Sequence, residues 1–135
     1  MQICNGVRRE VAEFTVPLCA TVHLSGSMLK ITACAVALVL LKGGTPDPAA
    51  FIGFIMLLGI VMVAAPGVPG GAIMSALGVL QSSLGFSEFD QAMMITLYIA
   101  MDSFGTACNV TGDGAIAIAL DRWFGGERTG AMASR

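Results

Sequence analysis

The sequence predicts an all-α membrane protein, and three observations carry that expectation. Of the 135 residues, 56% are hydrophobic and only 12% are charged, where a soluble protein carries roughly 25% charge. The apolar residues come in long runs divided by short Gly- and Pro-rich segments. Finally, the polar residues inside the last run recur at helical spacing. At about 100° per residue, Asp102, Thr106, Asn109 and Asp113 fall at roughly 0°, 40°, −20° and 20°, one narrow face. Met101, Phe104, Val110 and Ile118 point elsewhere, and Gly105 leaves room at the edge of the stripe. Two carboxylates and an amide are costly in an apolar helix and normally face a protein-lined cavity or an ion path. A soluble amphipathic helix would show the same stripe, but the rest of the chain is too apolar for one.

Each element follows in turn. Residues 1–10 are polar and lack an apolar run with a cleavage site, so no signal peptide is expected. The mostly apolar stretch from Val11 to Leu41 is about thirty residues, or roughly 45 Å as a helix, which exceeds a ~30 Å hydrocarbon core. His23-Leu24-Ser25-Gly26-Ser27 interrupts it, and glycine between two serines weakens a helix. The spacing therefore predicts a broken helix over 11–42. Lys42-Gly-Gly-Thr-Pro-Asp-Pro48 is a loop. Two apolar runs follow, Phe51 to Ala65 and Ala72 to Leu84, divided by Pro66-Gly-Val-Pro-Gly-Gly71. Each is short for a crossing, so 51–85 reads as a re-entrant hairpin. A phosphate loop is excluded at its tip because the Gly-Lys-Ser/Thr ending is absent. After the acidic loop Gly85 to Gln91 comes a second long helix, 91–121, which holds the stripe. Asp121-Arg122-Trp123-Phe124 anchors its end at the interface, before a Gly-rich tail with Arg128 and Arg135.

The totals exclude several functions. Net charge is −2 with no basic block, so nothing points to nucleic acid. Cys4, Cys19, Cys34 and Cys108 form no Cys-x-x-Cys pair, and His23 is the only histidine, which leaves no zinc pattern. There is no nucleophile–base pair and no cofactor motif, so an enzyme is not expected. Five of the seven basic residues lie near the two ends, whereas the internal loops carry Asp47, Glu88 and Asp90. By the positive-inside tendency both termini face the cytoplasm. Two crossings plus a hairpin satisfy that count, and residues 1–135 form one unit.

One internal echo suggests a shared design. His23-Leu-Ser-Gly-Ser27 and Asn109-Val-Thr-Gly-Asp113 both read polar, aliphatic, hydroxyl, glycine, oxygen-bearing. Both fall at mid-membrane depth, where interrupted helices in paired halves mark transporter binding sites.

Phe14 through Ser27, Pro66-Gly-Val-Pro-Gly-Gly71, and Asp102 through Asn109-Val-Thr-Gly-Asp113 together resemble the dicarboxylate/amino acid:cation symporter family, which includes the glutamate transporters. The likeness covers nearly the whole chain but only the C-terminal third of that family. It implies cation-coupled symport, by sodium or protons, of an amino acid or small dicarboxylate across the plasma (inner) membrane, with a homotrimer for the full-length form. Sodium ions would be the coupling ions, and no further cofactor is implied. Position by position, Asp102 would hold the substrate's amino group, Thr106 would add a hydroxyl, and Asn109 would bind the carboxylate and help frame a sodium site. Asp113 would ligate that sodium, with oxygen ligands suited to a hard cation. Ser27 and the hairpin tip, Val68, Pro69, Gly70 and Gly71, would complete the substrate site, the tip acting as the extracellular gate. Thr21 with backbone groups near Met62, Val63 and Ala65 would form a second sodium site, and Cys19 and His23 join the cation-binding set. The chain departs from the family pattern where an aspartate becomes Ser25, an arginine becomes Gly105, and Lys30 adds a charge at membrane depth. The open alternatives are a membrane fragment with only a structural or assembly role and a passive ion pathway.

Overall fold

The computed structural model describes residues 6–125, which form six helices among the described residues. In chain order they are α1 (Arg9–Val22), α2 (Ser25–Leu41), α3 (Pro48–Ala64), α4 (Gly71–Leu84), α5 (Glu88–Ala100) and α6 (Asp102–Gly125). The N-terminal five residues and the tail with Arg128 and Arg135 lie outside the described residues.

The first helix is interrupted at His23 and Leu24 only, and Ser25-Gly26-Ser27, expected to belong to the break, already form the first turn of α2. Two residues leave the helical region, His23 at φ −106°, ψ 86° and Leu24 at φ −108°, ψ 41°. The His23 N–H still reaches the Cys19 carbonyl at 2.8 Å, and the ladder resumes when the Met28 N–H donates to the Leu24 carbonyl at 2.9 Å. Taken together, α1 and α2 make a 33-residue stretch long and apolar enough to cross a membrane.

The hairpin is formed by α3 and α4, which pack on each other along their length. Pro48 sits in the first turn of α3, where its missing N–H costs nothing, and the Asp47 carboxylate accepts from the Ala49 N–H at 3.1 Å. Gly70 (φ 78°) and Gly85 (φ 66°) bracket α4 in the left-handed conformation that other residues avoid. Phe54, Leu58, Ile73 and Leu80 are fully buried here, and Ile31 of α2 and Met94 of α5 complete that core.

Past the hairpin the structure corrects the sequence reading. A single helix over 91–121 is expected, but α5 already starts at Glu88, and the chain is interrupted at Met101 (φ −103°, ψ 19°). The early start has a local cause: Ser87 and Asp90 form a reciprocal capping box. The interruption falls where Asp102 and Ser103 follow an apolar run, and both residue types favour the first turn of a new helix. Conversely, Asn109 to Asp113 lies within continuous α6, so the second member of the internal echo is not a break.

Two ion pairs tie helix ends together. The Arg8 guanidinium meets Asp121 at 2.7 Å, bringing the start of α1 beside the end of α6. The Lys42 ammonium meets Asp90 at 2.8 Å, joining the end of α2 to the start of α5 at the base of the hairpin. The hairpin tip, the α1–α2 break and the start of α6 converge on one cavity.

Candidate substrate and cation site

The site is built on a close crossing of α2 and α6. Gly26 permits it: a Cβ there would collide with the Gly105 carbonyl and lie 2.7 Å from the Cys108 Cβ. The approach lets the Gly26 N–H donate to Asn109 Oδ1 at 2.8 Å, while Asn109 Nδ2 donates to Ser27 Oγ at 3.3 Å. Tyr98 reaches the same hydroxyl from α5 at 3.2 Å. Gly112 plays the matching part for the other motif, since a Cβ there would meet the His23 ring at 2.5 Å. That space lets His23 Nδ1 sit 2.8 Å from Asp113 Oδ1. The two echoed motifs therefore face each other, and each glycine makes room for the other segment.

Beside this crossing lies a cavity of about 280 Å³. Its walls include all four stripe residues, Asp102, Thr106, Asn109 and Asp113, with His23 from the first break and Ser27 from the first turn of α2. Val68, Pro69 and Gly70 of the hairpin tip close one side. Gly71 is buried at the start of α4, directly behind them. Helical periodicity placed the stripe, and the fold brings the hairpin tip to it.

The remaining expected site residues stand apart from the cavity. Cys19 is buried in α1, and its carbonyl already accepts from the His23 N–H. Thr21 is exposed and donates its hydroxyl to the Leu18 carbonyl at 2.7 Å. Met62 and Ala65 are buried at the end of α3, where the Met62 carbonyl accepts from the Ala65 N–H at 3.4 Å, and Val63 is exposed. Ser25 faces a separate shallow groove with Cys108 and Thr111. No cluster of three His, Cys, Asp or Glu side chains that could hold a metal occurs among the described residues. A cation here would depend largely on amide, hydroxyl and backbone oxygens, the donor set of a hard ion.

Two participants escaped the sequence reading. Tyr98 lines the cavity, and its signal was available: it is the only tyrosine in the chain and lies four residues before Asp102, one helical turn along. Lys30 stands in the sequence as a charge at membrane depth, but nothing there gives its partner. It is buried among the helices, with Nζ 3.3 Å from Asp102 Oδ1 and 3.4 Å from the centre of the Tyr98 ring. No buried side-chain nitrogen or oxygen lacks a partner among the described residues.

An apolar, all-helical chain whose polar groups converge on one cavity at paired helix breaks has the form of a solute-binding core. The chain belongs to the Sodium:dicarboxylate symporter family, whose profile matches residues 2–123. That family consists of membrane transporters, not enzymes. Residues of this chain are 27% identical over 109 positions to the Neutral amino acid transporter B(0) of Rattus norvegicus, covering 81% of this chain and 20% of that protein. The Bos taurus protein of the same name is 27% identical over 122 positions, covering 87% and 22%. The Excitatory amino acid transporter 5 of Homo sapiens is 26% identical over 113 positions, covering 84% and 20%. The chain thus spans about a fifth of the length of these curated relatives. No solved structure matches it.

Proposed function

We propose that this chain supplies the solute- and cation-binding core of a secondary transporter, in which a small carboxylate solute, an amino acid or dicarboxylate, moves with sodium as coupling ion. The observation that carries the reading is the convergence of Asp102, Thr106, Asn109 and Asp113 on one cavity closed by the hairpin tip. In this reading the Asn109 amide, Ser27 and the backbone at Val68 to Gly71 receive the solute carboxylate, and Thr106 adds a hydroxyl. Asp102 is the wall group that meets an amino group where the solute has one. Asp113, held by His23, contributes a carboxylate to the coupling cation together with Asn109. Thr21 and the carbonyls near Met62, Val63 and Ala65 form a second cation position once the hairpin tip closes. Cys19 supports it through the backbone.

The hairpin tip is the moving part of this mechanism. Its Pro- and Gly-rich segment carries little regular hydrogen bonding, so it can open and close over the cavity while the α2–α6 crossing stays fixed. The chain is placed in the membrane with its first and last helix ends on the cytoplasmic side, as the basic residues there favour.

The test is sodium-dependent binding of a labelled acidic or neutral amino acid, or dicarboxylate, to the protein in lipid nanodiscs. Asp113→Asn should abolish most of the sodium dependence while helical content is retained. Binding by that variant with unchanged sodium dependence removes Asp113 from the cation site. Saturable, sodium-driven uptake separates transport from a passive ion pathway.

A further inference from the structure

The cavity contains a charge arrangement that bears on which solutes it accepts. Lys30 does not line the cavity; it approaches from behind the wall, with its side chain 4% exposed. Its path is open because residue 105 has no side chain: a Cβ on Gly105 would lie 3.1 Å from both Cε and Nζ of Lys30. The ammonium ends over the face of Tyr98 and beside Asp102, both of which are cavity walls. The Asp102 side chain is 48% exposed and lines the cavity. Thus the carboxylate that would meet a solute's amino group already holds an ammonium supplied by the chain.

The consequence follows from Coulomb's law in a poorly screened interior. An incoming ammonium meets a neutral pair, not a free carboxylate, with a second ammonium fixed 3.3 Å behind it. If Lys30 swung away to release Asp102, it would leave a buried charge with only the Tyr98 ring as partner, which is costly. A carboxylic acid without an amino group makes no such demand. It needs only the Asn109 and Ser27 side of the cavity, and it experiences no repulsion from Lys30.

We propose that Lys30, seated in the space left by Gly105, is a specificity-determining residue that occupies Asp102 and selects small carboxylic acids lacking an amino group over amino acids. This rests on the reading of the cavity as a solute site and names the solute class it prefers. Lys30 acts through Asp102 and is a positioning residue, not a direct ligand of the solute.

Succinate and aspartate differ only by the amino group and make the cleanest probe pair. Their affinities are measured on the full chain in lipid nanodiscs with sodium, for the wild type, Lys30→Met and Lys30→Gln, with helical content checked by circular dichroism. The expected result is that the wild type binds succinate at least about tenfold more tightly than aspartate. Either variant that retains wild-type helicity moves that ratio toward aspartate by at least about tenfold, a shift of about 1.4 kcal/mol. A wild type that prefers aspartate, or a ratio unchanged in both variants, overturns the role of Lys30 while leaving the solute site in place. Binding of neither probe by the wild type overturns the solute site itself, and this inference with it.

Discussion

The chain contains two lysine–aspartate pairs that mirror each other. In the Lys42–Asp90 pair the lysine side chain is 57% exposed and the aspartate 4%; in Lys30–Asp102 the lysine side chain is 4% exposed and the aspartate 48%. Residue types are identical, yet the burdens differ. Asp90 accepts from Lys42 at 2.8 and 3.0 Å, from the Ser87 N–H at 3.0 Å and from the Ser87 hydroxyl at 2.9 Å. Its oxygens are fully used to start α5, which makes it part of the scaffold. Asp102 accepts one longer contact, and its other face opens on the cavity. A buried carboxylate with many donors holds structure together, whereas a half-open carboxylate with a buried ammonium behind it is poised to discriminate.

The largest effect is expected where the α2–α6 crossing that positions the cavity pair is itself broken. Gly26→Val places a branched side chain against the Gly105 backbone carbonyl, which cannot yield as a flexible side chain would. We expect a loss of at least about 3 kcal/mol, the upper part of the range for overpacking. Thermal unfolding in mild detergent measures it, and a variant as stable as wild type would mean that the helices do not cross there.

The next effect separates the two pairs directly. Asp90→Asn should lower the unfolding temperature clearly, because it removes the charge that Lys42 and Ser87 converge on. Asp102→Asn should also lower the unfolding temperature, because it leaves the buried Lys30 ammonium without its carboxylate, but of the two substitutions it alone should change solute binding. Equal effects of the two substitutions on solute binding would erase the distinction between scaffold and site.

The same contrast explains what could be read from the sequence. Periodicity placed Asp102, Thr106, Asn109 and Asp113 on one face because a helix repeats at a fixed angle, and the cavity contains all four. The Pro66 to Gly71 tip and an interruption next to Ser25-Gly26-Ser27 were legible because Gly, Pro and Ser alter local backbone preferences, although the break itself falls at His23 and Leu24. The pairing of Lys30 with Asp102 was not legible, since the partners are 72 positions apart and meet only through the crossing at Gly26. The interruption at Met101 was missed for another reason. Methionine is a good helix former, so nothing at that residue announces a break, and only the following Asp102-Ser103 suggests a new start.

A smaller effect concerns acid. The Lys42 ammonium beside Asp90, followed by the Ser87 donors, holds its carboxyl below the ordinary carboxylate range. A depressed folded value stabilises the fold above the unfolded value of about 4, and that contribution is lost as pH falls through the folded value. Unfolding temperature should therefore stay flat on acidification through the weakly acidic range and fall only below it. Lys42→Met removes the leading cause, so the fall should begin at the same pH but be smaller and finish at higher pH than in the wild type. Identical acid profiles would show that the capping box alone sets the behaviour of Asp90.

The smallest effect is expected from a third ion pair that has neither kind of burial. Arg9 and Glu13 lie one turn apart on α1 at 2.6 Å, with side chains 78% and 60% exposed. Water screens such a pair, and ordering two long side chains offsets much of the attraction, so Arg9→Ala should cost no more than about 0.5 kcal/mol. The prediction also probes the surroundings of this end of the chain. In the isolated chain the face beside it is open, with Phe14 exposed one residue beyond Glu13. If further helices or lipid headgroups cover that face in the membrane, the dielectric falls and the same 2.6 Å pair strengthens. Measuring Arg9→Ala in detergent and again in lipid nanodiscs therefore distinguishes the two settings. A cost that stays near zero in both leaves α1 with a solvated first turn, whereas a rise only in the bilayer shows that this end of α1 is covered there.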